Sequence, residues 1–410
     1  MIAGHSRGPR SDFPACGPRV YAQPLEGVAF VATLYGFVST YPPTQCGLAT
    51  FTAALLRALT AQGPDDARVA RVLDAPQPPD GFKVVTDIVA GDHAGAIRSA
   101  GRLNECDVVI LQHEFGIYGG TDGKDVLALM AALKVPTIVV LHTVLTDPTW
   151  HQRHVLESVM TASSAIVTMS RTARDRLLAG YRVEPGKVSI IAHGAPDSTG
   201  RTTGQQPPSL GHQPTILTWG LLGPGKGIEW AVAALAQLRD VDPSPRYIVA
   251  GQTHPKVLQR DGEAYRDSLD QLVHRLGLSD SVVLDSRYRD AAALDELVAS
   301  ADVVLLPYDS TDQVTSGVLI EAVAAGKPVV ATSFPHAVEL LSGGAGTVVD
   351  HQDPTAIADA LRQVLTQPEV ATAMAAAATG AAPELRWSAV ADRYRQLADR
   401  LISDVAIDAA

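Results

Sequence analysis

Residues 308–332 read YDSTDQVTSGVLIEAVAAGKPVVAT, directly after the apolar run Ala301-Asp302-Val303-Val304-Leu305-Leu306-Pro307. The pattern predicts a buried strand, a polar loop through Thr315-Ser316-Gly317, and a short helix carrying Glu321. Gly326-Lys327-Pro328 then begins a second buried strand. A small-residue turn at a helix start leaves backbone N–H groups free to hold a phosphate, and the aligned peptide dipoles add to the attraction. Glu321, one turn further in, can accept two hydrogen bonds from a sugar diol. Together these features predict a pocket for a sugar nucleotide.

Outward from that stretch, runs of Val, Ile and Leu alternate with amphipathic segments of helix length, the pattern of parallel α/β sheets. In the first half, strands are expected at 28–33, 107–111, 137–141, 165–169 and 187–191, with helices beginning near Leu48, His93, Asp122, Thr149 and Arg171. A Pro, Gly and Thr-rich stretch at 198–208 reads as a linker. The alternation restarts with strands at 215–219, 247–250, 282–284, before Pro307, 328–332 and 346–349. Helices are expected at 228–238, 263–276, 291–300 and around Glu321. An Ala-rich patch at 371–382 precedes a last helix from about Ser388.

The chain of 410 residues is long enough for two cores, and its net charge of -11 argues against general nucleic-acid binding. No Lys/Arg run marks an anionic-membrane patch, and no apolar stretch is long enough to span a bilayer. Three widely spaced cysteines, Cys16, Cys46 and Cys106, do not suggest a disulfide framework and fit a reducing, cytoplasmic setting. The first residues are rich in Gly and Pro and lack a secretory apolar block; they read as a mobile tail or as a mis-set start.

The 313–330 segment resembles the signature of family 4 retaining glycosyltransferases, in which two glutamates bracket seven residues. The second glutamate corresponds to Glu321, in EAVAAGKPVV, whereas Gln313 stands at the first position. Gln keeps the reach and a carbonyl acceptor but exchanges the charge for an NH₂ donor, an altered contact with the donor sugar. The resemblance covers nearly everything from Val28 onward. It implies the GT-B arrangement: two doubly wound Rossmann-like α/β domains flanking an interdomain cleft. The expected divisions are a tail at 1–26, an acceptor domain at 27–198, a linker at 199–213 and a donor domain at 214–385. A terminal helix at 386–410 is expected to cross back onto the first domain.

Several other motifs follow predicted strands, as ligand-binding loops of open parallel sheets do. In Gly220-Leu221-Leu222-Gly223-Pro224-Gly225-Lys226-Gly227 the glycines permit close approach of the backbone, and Lys226 can neutralise diphosphate charge; the plain alternative is a surface turn. Family loops of this type usually carry an Arg where this chain has Leu221. Pro42–Thr50 resembles the family's amino-terminal glycine loop, so Gly47 is expected near the donor, with Thr50 offering a hydroxyl; an ordinary helix entry is the alternative. His142 resembles the residue placed against the donor sugar, acting through its carbonyl or its imidazole.

His113 and Glu114, in a polar glycine-rich burst, are expected to meet the acceptor, and a structural loop is the competing reading. With His142, His113 lacks a third ligand at metal-binding spacing, so no metal is expected. Gly220, Gly223, Gln313, Thr315, Ser316, Gly317, Val318 and Glu321 complete the expected donor set. Ser170, Arg171, His193 and Asp197 read as structural residues near the hinge, and the 334–339 segment as a contact for base or acceptor.

The resemblance implies retaining transfer of mannose or glucose from GDP-mannose or UDP-glucose to a glycan, glycolipid or polyol hydroxyl, with His142 and Lys226 as catalytic candidates. It implies no nucleic-acid partner and no integral membrane segment, with peripheral membrane contact left open. A sugar-nucleotide epimerase and a non-catalytic sugar-nucleotide-binding protein are the competing readings.

Overall fold

The computed structural model describes residues 32–78, 83–197, 213–287 and 289–408. The expected tail and nearly all of the linker lie outside the described residues. Strands β1 (Leu34–Ser39), β2 (Asp66–Leu73), β3 (Val84–Val89), β4 (Val108–His113), β5 (Thr137–Leu141), β6 (Ala165–Thr168) and β7 (Val188–Ile190) form one sheet. Strands β8 (Thr215–Trp219), β9 (Arg246–Ala250), β10 (Val282–Asp285), β11 (Val303–Leu306), β12 (Val329–Thr332) and β13 (Gly346–Val349) form another. The orders are β3-β2-β1-β4-β5-β6-β7 and β10-β9-β8-β11-β12-β13. Every pairing is parallel.

Parallel neighbours require crossovers, supplied in the first half by α1 (Gly47–Leu59), α2 (His93–Leu103), α3 (Val126–Ala132), α4 (Trp150–Ala162) and α5 (Arg171–Gly180). The second half uses α6 (Ile228–Leu235), α7 (Pro255–Asp261), α8 (Ala264–Arg275), α9 (Ala291–Ser300), α10 (Gly317–Ala324) and α11 (Pro335–Leu341). It ends in α12 (Pro354–Thr366), α13 (Pro368–Leu385) and α14 (Trp387–Asp408). The strands are apolar on successive residues because helices cover both faces. On the first sheet, Val109, Leu111, Val139 and Leu141 pack towards α2–α5, while Val108, Ile110, Ile138 and Val140 pack towards α1 and α14.

Three expectations need correction. The first described strand is β1, at Leu34–Ser39, and residues 32 and 33 lie before it; most of the expected 28–33 strand lies outside the described residues. The apolar run extends across both placements, so its register is set by β2 and β4, with Tyr35 and Phe37 buried on one face. Strands β2 and β3 have no counterpart in the sequence reading. Arg68 and Arg71 interrupt the apolar pattern of β2, yet Arg71 is buried and its guanidinium donates to both Asp87 oxygens (2.9 and 3.1 Å). The helix expected near Asp122 begins instead at Val126, because Asp122 takes a left-handed conformation (φ 53°) in a short 3-10 turn.

The chain returns to the first sheet through a close seam. Ala195 N donates to Leu385 O (2.7 Å) and Trp387 N donates to Ala195 O (2.9 Å). Asp197 accepts from Ser388 N (3.2 Å) and Ser388 Oγ (2.7 Å), capping the entry to α14. A Cβ on Gly194 would stand 2.2 Å from the Trp387 indole, so only hydrogen fits there. Trp387 then meets Phe51 of α1 edge to face (5.1 Å), and Val390, Tyr394 and Ala398 continue the burial. Trp387→Ala is expected to lower unfolding stability by about 3–5 kcal/mol, checked by the midpoint of denaturant unfolding; an unchanged midpoint contradicts this role for the seam.

Candidate functional site

In each sheet the strand order reverses at one place, between β1 and β4 and between β8 and β11. Loops leaving the carboxyl ends of such strands diverge and open a crevice. The glycine loop leaves β8, and Pro307–Ser316 leaves β11. Opposite them, Thr40–Cys46 leaves β1 and Glu114–Gly120 leaves β4.

The two sets of loops face one another and touch. Thr146 Oγ1 donates to Asp312 Oδ1 (2.7 Å), Ser170 Oγ to Val314 O (2.8 Å), and an Arg176 guanidinium nitrogen to Asp312 O (3.0 Å). Val314 itself is buried in the apolar cluster of the first domain. Glu339 on α11 accepts from Arg171 N, Thr172 N and Thr172 Oγ1, all at 2.8 Å. It thereby caps α5 across the crevice, and these bonds hold its carboxyl below the usual range although burial opposes them.

Within the crevice lies an open cavity of about 430 Å³, lined by Pro224, Gly225, Lys226, Tyr308, Asp309, Ser310 and Gln313. That volume suits a small-molecule ligand. The Lys226 Nζ sits 4.3 Å from the centroid of the Tyr308 ring, a cation–π contact, and Phe334 stacks on the same ring (5.3 Å). Asp309 N donates to Gly225 O (3.0 Å) and Asp309 accepts from Trp230 Nε1 (2.9 Å), tying the two loops together.

Of the residues singled out from sequence, Lys226 and Gln313 are brought into this cavity. Gln313 donates its Nε2 to Thr315 O (3.0 Å), leaving its carbonyl oxygen as the acceptor. Gly220 approaches Val318, with a Cβ position 3.7 Å from it, and Gly223 packs on Val257. Glu321 stands deeper, where Trp219 Nε1 donates to Oε2 (3.2 Å), so one of its oxygens already has a partner. Burial pushes its carboxyl up to about 7, with the Trp219 bond opposing and Asp295 adding to the rise.

Other candidates are engaged elsewhere. Ser316 caps α10 through Oγ, but its N–H donates to His336 Nδ1 (2.9 Å) and so is occupied. Gly317 abuts His193, whose Nε2 would stand 2.9 Å from a Cβ there. Thr315 Oγ1 is buried without a partner.

On the facing side, Gly47 borders open space at the start of α1, whose cap is Cys46 Sγ (3.4 Å to Ala49 N). Cys46 is therefore a capping group and more than a small filler. Thr50 Oγ1 donates back to Cys46 O (3.3 Å), so its proton is engaged within α1. His142 Nε2 donates to Gln112 Oε1 (2.7 Å), which leaves Nδ1 as the acceptor. Burial, with lesser contributions from His193 and His113, lowers His142 to about 3, and it is neutral at physiological pH. His113, expected at the acceptor, is only 1% exposed, and both ring nitrogens lack partners. At the end of β4 it meets the Phe115 ring edge to face (ring centroids 5.2 Å). Glu114 accepts from Thr143 Oγ1 (2.5 Å) and Phe115 N (3.0 Å), and burial raises its carboxyl.

The 334–339 segment also differs from expectation, since Phe334 and His336 are buried and Glu339 makes the domain contact. Asp309, Ser310 and Lys256 were not singled out from sequence: the first two line the cavity, and Lys256 bonds Gly116 O across the crevice. Positions two and three after Pro307 were the available signal for the first two, whereas contacts between separate domains leave no local pattern.

Among the described residues no group of three or more His, Cys, Asp or Glu side chains is set to hold a metal ion. Two carboxylates at Asp-x-Asp spacing, Asp240 and Asp242, follow α6, where Asp240 pairs with Arg362 (2.7 Å). No helix among the described residues is long and apolar enough to cross a membrane.

Residues 202–380, which include the whole second sheet, match the family described as glycosyl transferases group 1. The D-inositol 3-phosphate glycosyltransferase of Corynebacterium diphtheriae is 33% identical over 247 residues, 56% of this chain and 55% of that protein. The GDP-mannose-dependent alpha-(1-6)-phosphatidylinositol monomannoside mannosyltransferase of Mycolicibacterium smegmatis is 32% identical over 189 residues, 45% of this chain and 47% of that protein. The chain thus spans about half the length of these relatives. Anabaena HepE, solved in complex with UDP, superposes with a TM-score of 0.69 at 18% identity, covering 90% of this chain and 100% of that one. Sucrose-phosphate synthase of Thermosynechococcus elongatus gives 0.69 at 19% identity, covering 91% and 100%. The fold is GT-B.

Glu321 generates a pH prediction. Below its unfolded value near 4.5 the carboxyl is protonated in both states; as pH rises to about 7 the unfolded chain ionises first, so the ligand-free fold loses stability through that window. Glu321→Gln removes this loss. Its melting temperature relative to wild type is therefore expected to rise between pH 4.5 and 8, and a difference constant with pH contradicts the assignment.

Proposed function

We propose that the protein is a retaining glycosyltransferase that moves a hexose from a nucleoside diphosphate sugar to a hydroxyl group. The carrying observation is the cavity at the reversal of the second sheet, where Lys226 and Gln313 meet within a glycosyl transferases group 1 domain. In this reading, 214–385 is the donor domain and 27–198 the acceptor domain, joined by a linker at 199–213. The diphosphate lies against Gly225 and Lys226, and Gln313 supplies polar contact to the sugar. Glu321 takes the ribose diol, whose two donors favour the ionised carboxylate and offset its burial.

Transfer proceeds on one face of the sugar. The bond from C1 to the β-phosphate oxygen breaks and the acceptor oxygen bonds to C1. The acceptor proton passes to the departing diphosphate oxygen. The Lys226 ammonium stabilises the charge that develops on that oxygen, the kind of fixed electrostatic contribution that often dominates catalysis. In this reading His142, neutral and with Nδ1 free to accept, holds a sugar hydroxyl. Contact between the two domains keeps water from the reacting carbon.

GDP-mannose and UDP-glucose are the preferred donors. The GDP-mannose-dependent relative favours the first, and the UDP complex of a protein with the same fold favours the second. The polyol and phosphatidylinositol names of the relatives favour a polyol or glycolipid hydroxyl as acceptor.

A thermal-shift panel of sugar nucleotides tests the donor reading, because a ligand at a hundred times its Kd stabilises by about 2.7 kcal/mol. The expected result is a clear shift with one of these two donors, followed by transfer to polyol or glycolipid acceptors. A shift without transfer supports a binding protein, and donor turnover without acceptor supports an epimerase. Lys226→Ala is expected to lower turnover about 10²–10³-fold with an unchanged circular dichroism spectrum; near-normal turnover contradicts its role.

A further inference from the structure

We infer that Lys256 is a second diphosphate-binding cation, working as a pair with Lys226; this rests on the reading that the cavity takes a nucleoside diphosphate sugar. The loop after β9 is locked to the glycine loop after β8. Leu222 N donates to Gln252 O (2.8 Å), and His254 N donates to Leu222 O (2.8 Å). A Cβ on Gly223 would stand 3.1 Å from the Val257 side chain, so the loops also pack directly. Lys226 and Lys256 are therefore carried on one platform at the carboxyl ends of neighbouring strands. The His254 ring registers both: Nδ1 accepts from Lys256 N (3.1 Å), and after burial the Lys256 and Lys226 charges each lower its pKa.

Lys256 is exposed, and its Nζ reaches across the crevice to donate to Gly116 O (2.8 Å) in the loop after β4. A neutral carbonyl offers the ammonium group a hydrogen bond only, whereas a phosphate oxygen adds the attraction of an opposite charge, so phosphate is the stronger partner. The charge balance points the same way. A diphosphate carries more than one negative charge, while among the described residues lining the cavity Lys226 is the single cation, Asp309 adds a carboxyl and Leu221 brings no charge. The long flexible stem of lysine lets Nζ move from the carbonyl to phosphate without a change of backbone. Lys256 thus binds donor phosphate on one domain and, when the donor is absent, rests on the other.

The test is calorimetric titration with whichever of GDP and UDP binds wild type more tightly, and with its monophosphate, on wild type, Lys256→Met and Lys256→Arg. Loss of one charge-assisted bond is expected to weaken the diphosphate about tenfold in the Met variant. The monophosphate should change little, the Arg variant should restore most of the affinity, and melting curves without ligand should coincide. Unchanged diphosphate affinity in Lys256→Met, or equal losses for both nucleotides, overturns the inference while leaving the donor site standing. Wild type that binds neither diphosphate overturns the reading of the cavity and the inference with it.

Discussion

A side chain at position 227 would place its Cβ 1.8 Å from the carbonyl oxygen of Pro307, a distance no pair of non-bonded atoms can hold. Glycine, in a left-handed conformation (φ 64°), is what allows the loops after β8 and β11 to touch. That contact sets the geometry of the donor side. It places Lys226 over the Tyr308 ring, whose position is fixed in turn by Phe334, and it lets Asp309 bond Gly225. The cavity is the space left where these two loops diverge beyond their point of contact.

The second constraint is the fit between domains. Val314 buries itself in the first core, Asp312 is held by Thr146 and Arg176, and Glu339 caps α5. A carboxylate at a helix start, accepting main-chain N–H groups, is among the stronger polar contacts available at a part-exposed interface. The loop that carries Gln313 therefore answers to both domains. Ser316 shows the consequence, since its N–H faces His336 and not the cavity. In the proposed reading the phosphate therefore lies at Gly225 and Lys226, and not at the start of α10.

Much of this was legible in the chain. The β11–α10–β12 segment read correctly because a buried parallel strand, a Ser cap and a Gly-Lys-Pro exit are all local signals. The strands Thr137–Leu141, Thr215–Trp219 and Gly346–Val349 were matched to the residue, each being a short apolar run between clear breaks. Strand β2 was illegible because the burial of Arg71 depends on Asp87, sixteen positions away. At the site, Lys226 and Gln313 could be found from motif position. The burial of His113 was not legible, because strand alternation alone does not say how the next loop covers the last residue of β4. Glu339 and Lys256 act across the crevice, and their roles exist only once two loops from different domains are brought together.

The central claim is that the crevice at the carboxyl ends of β8 and β11 grips the pyrophosphate of an activated sugar. The most direct measurement is a crystal structure of the protein with GDP-mannose or UDP-glucose bound. The account predicts phosphate oxygens within hydrogen-bonding distance of Lys226 Nζ and of the main chain at 224–226, with the sugar towards Gln313. A donor resolved on another surface, with that crevice empty, would contradict it.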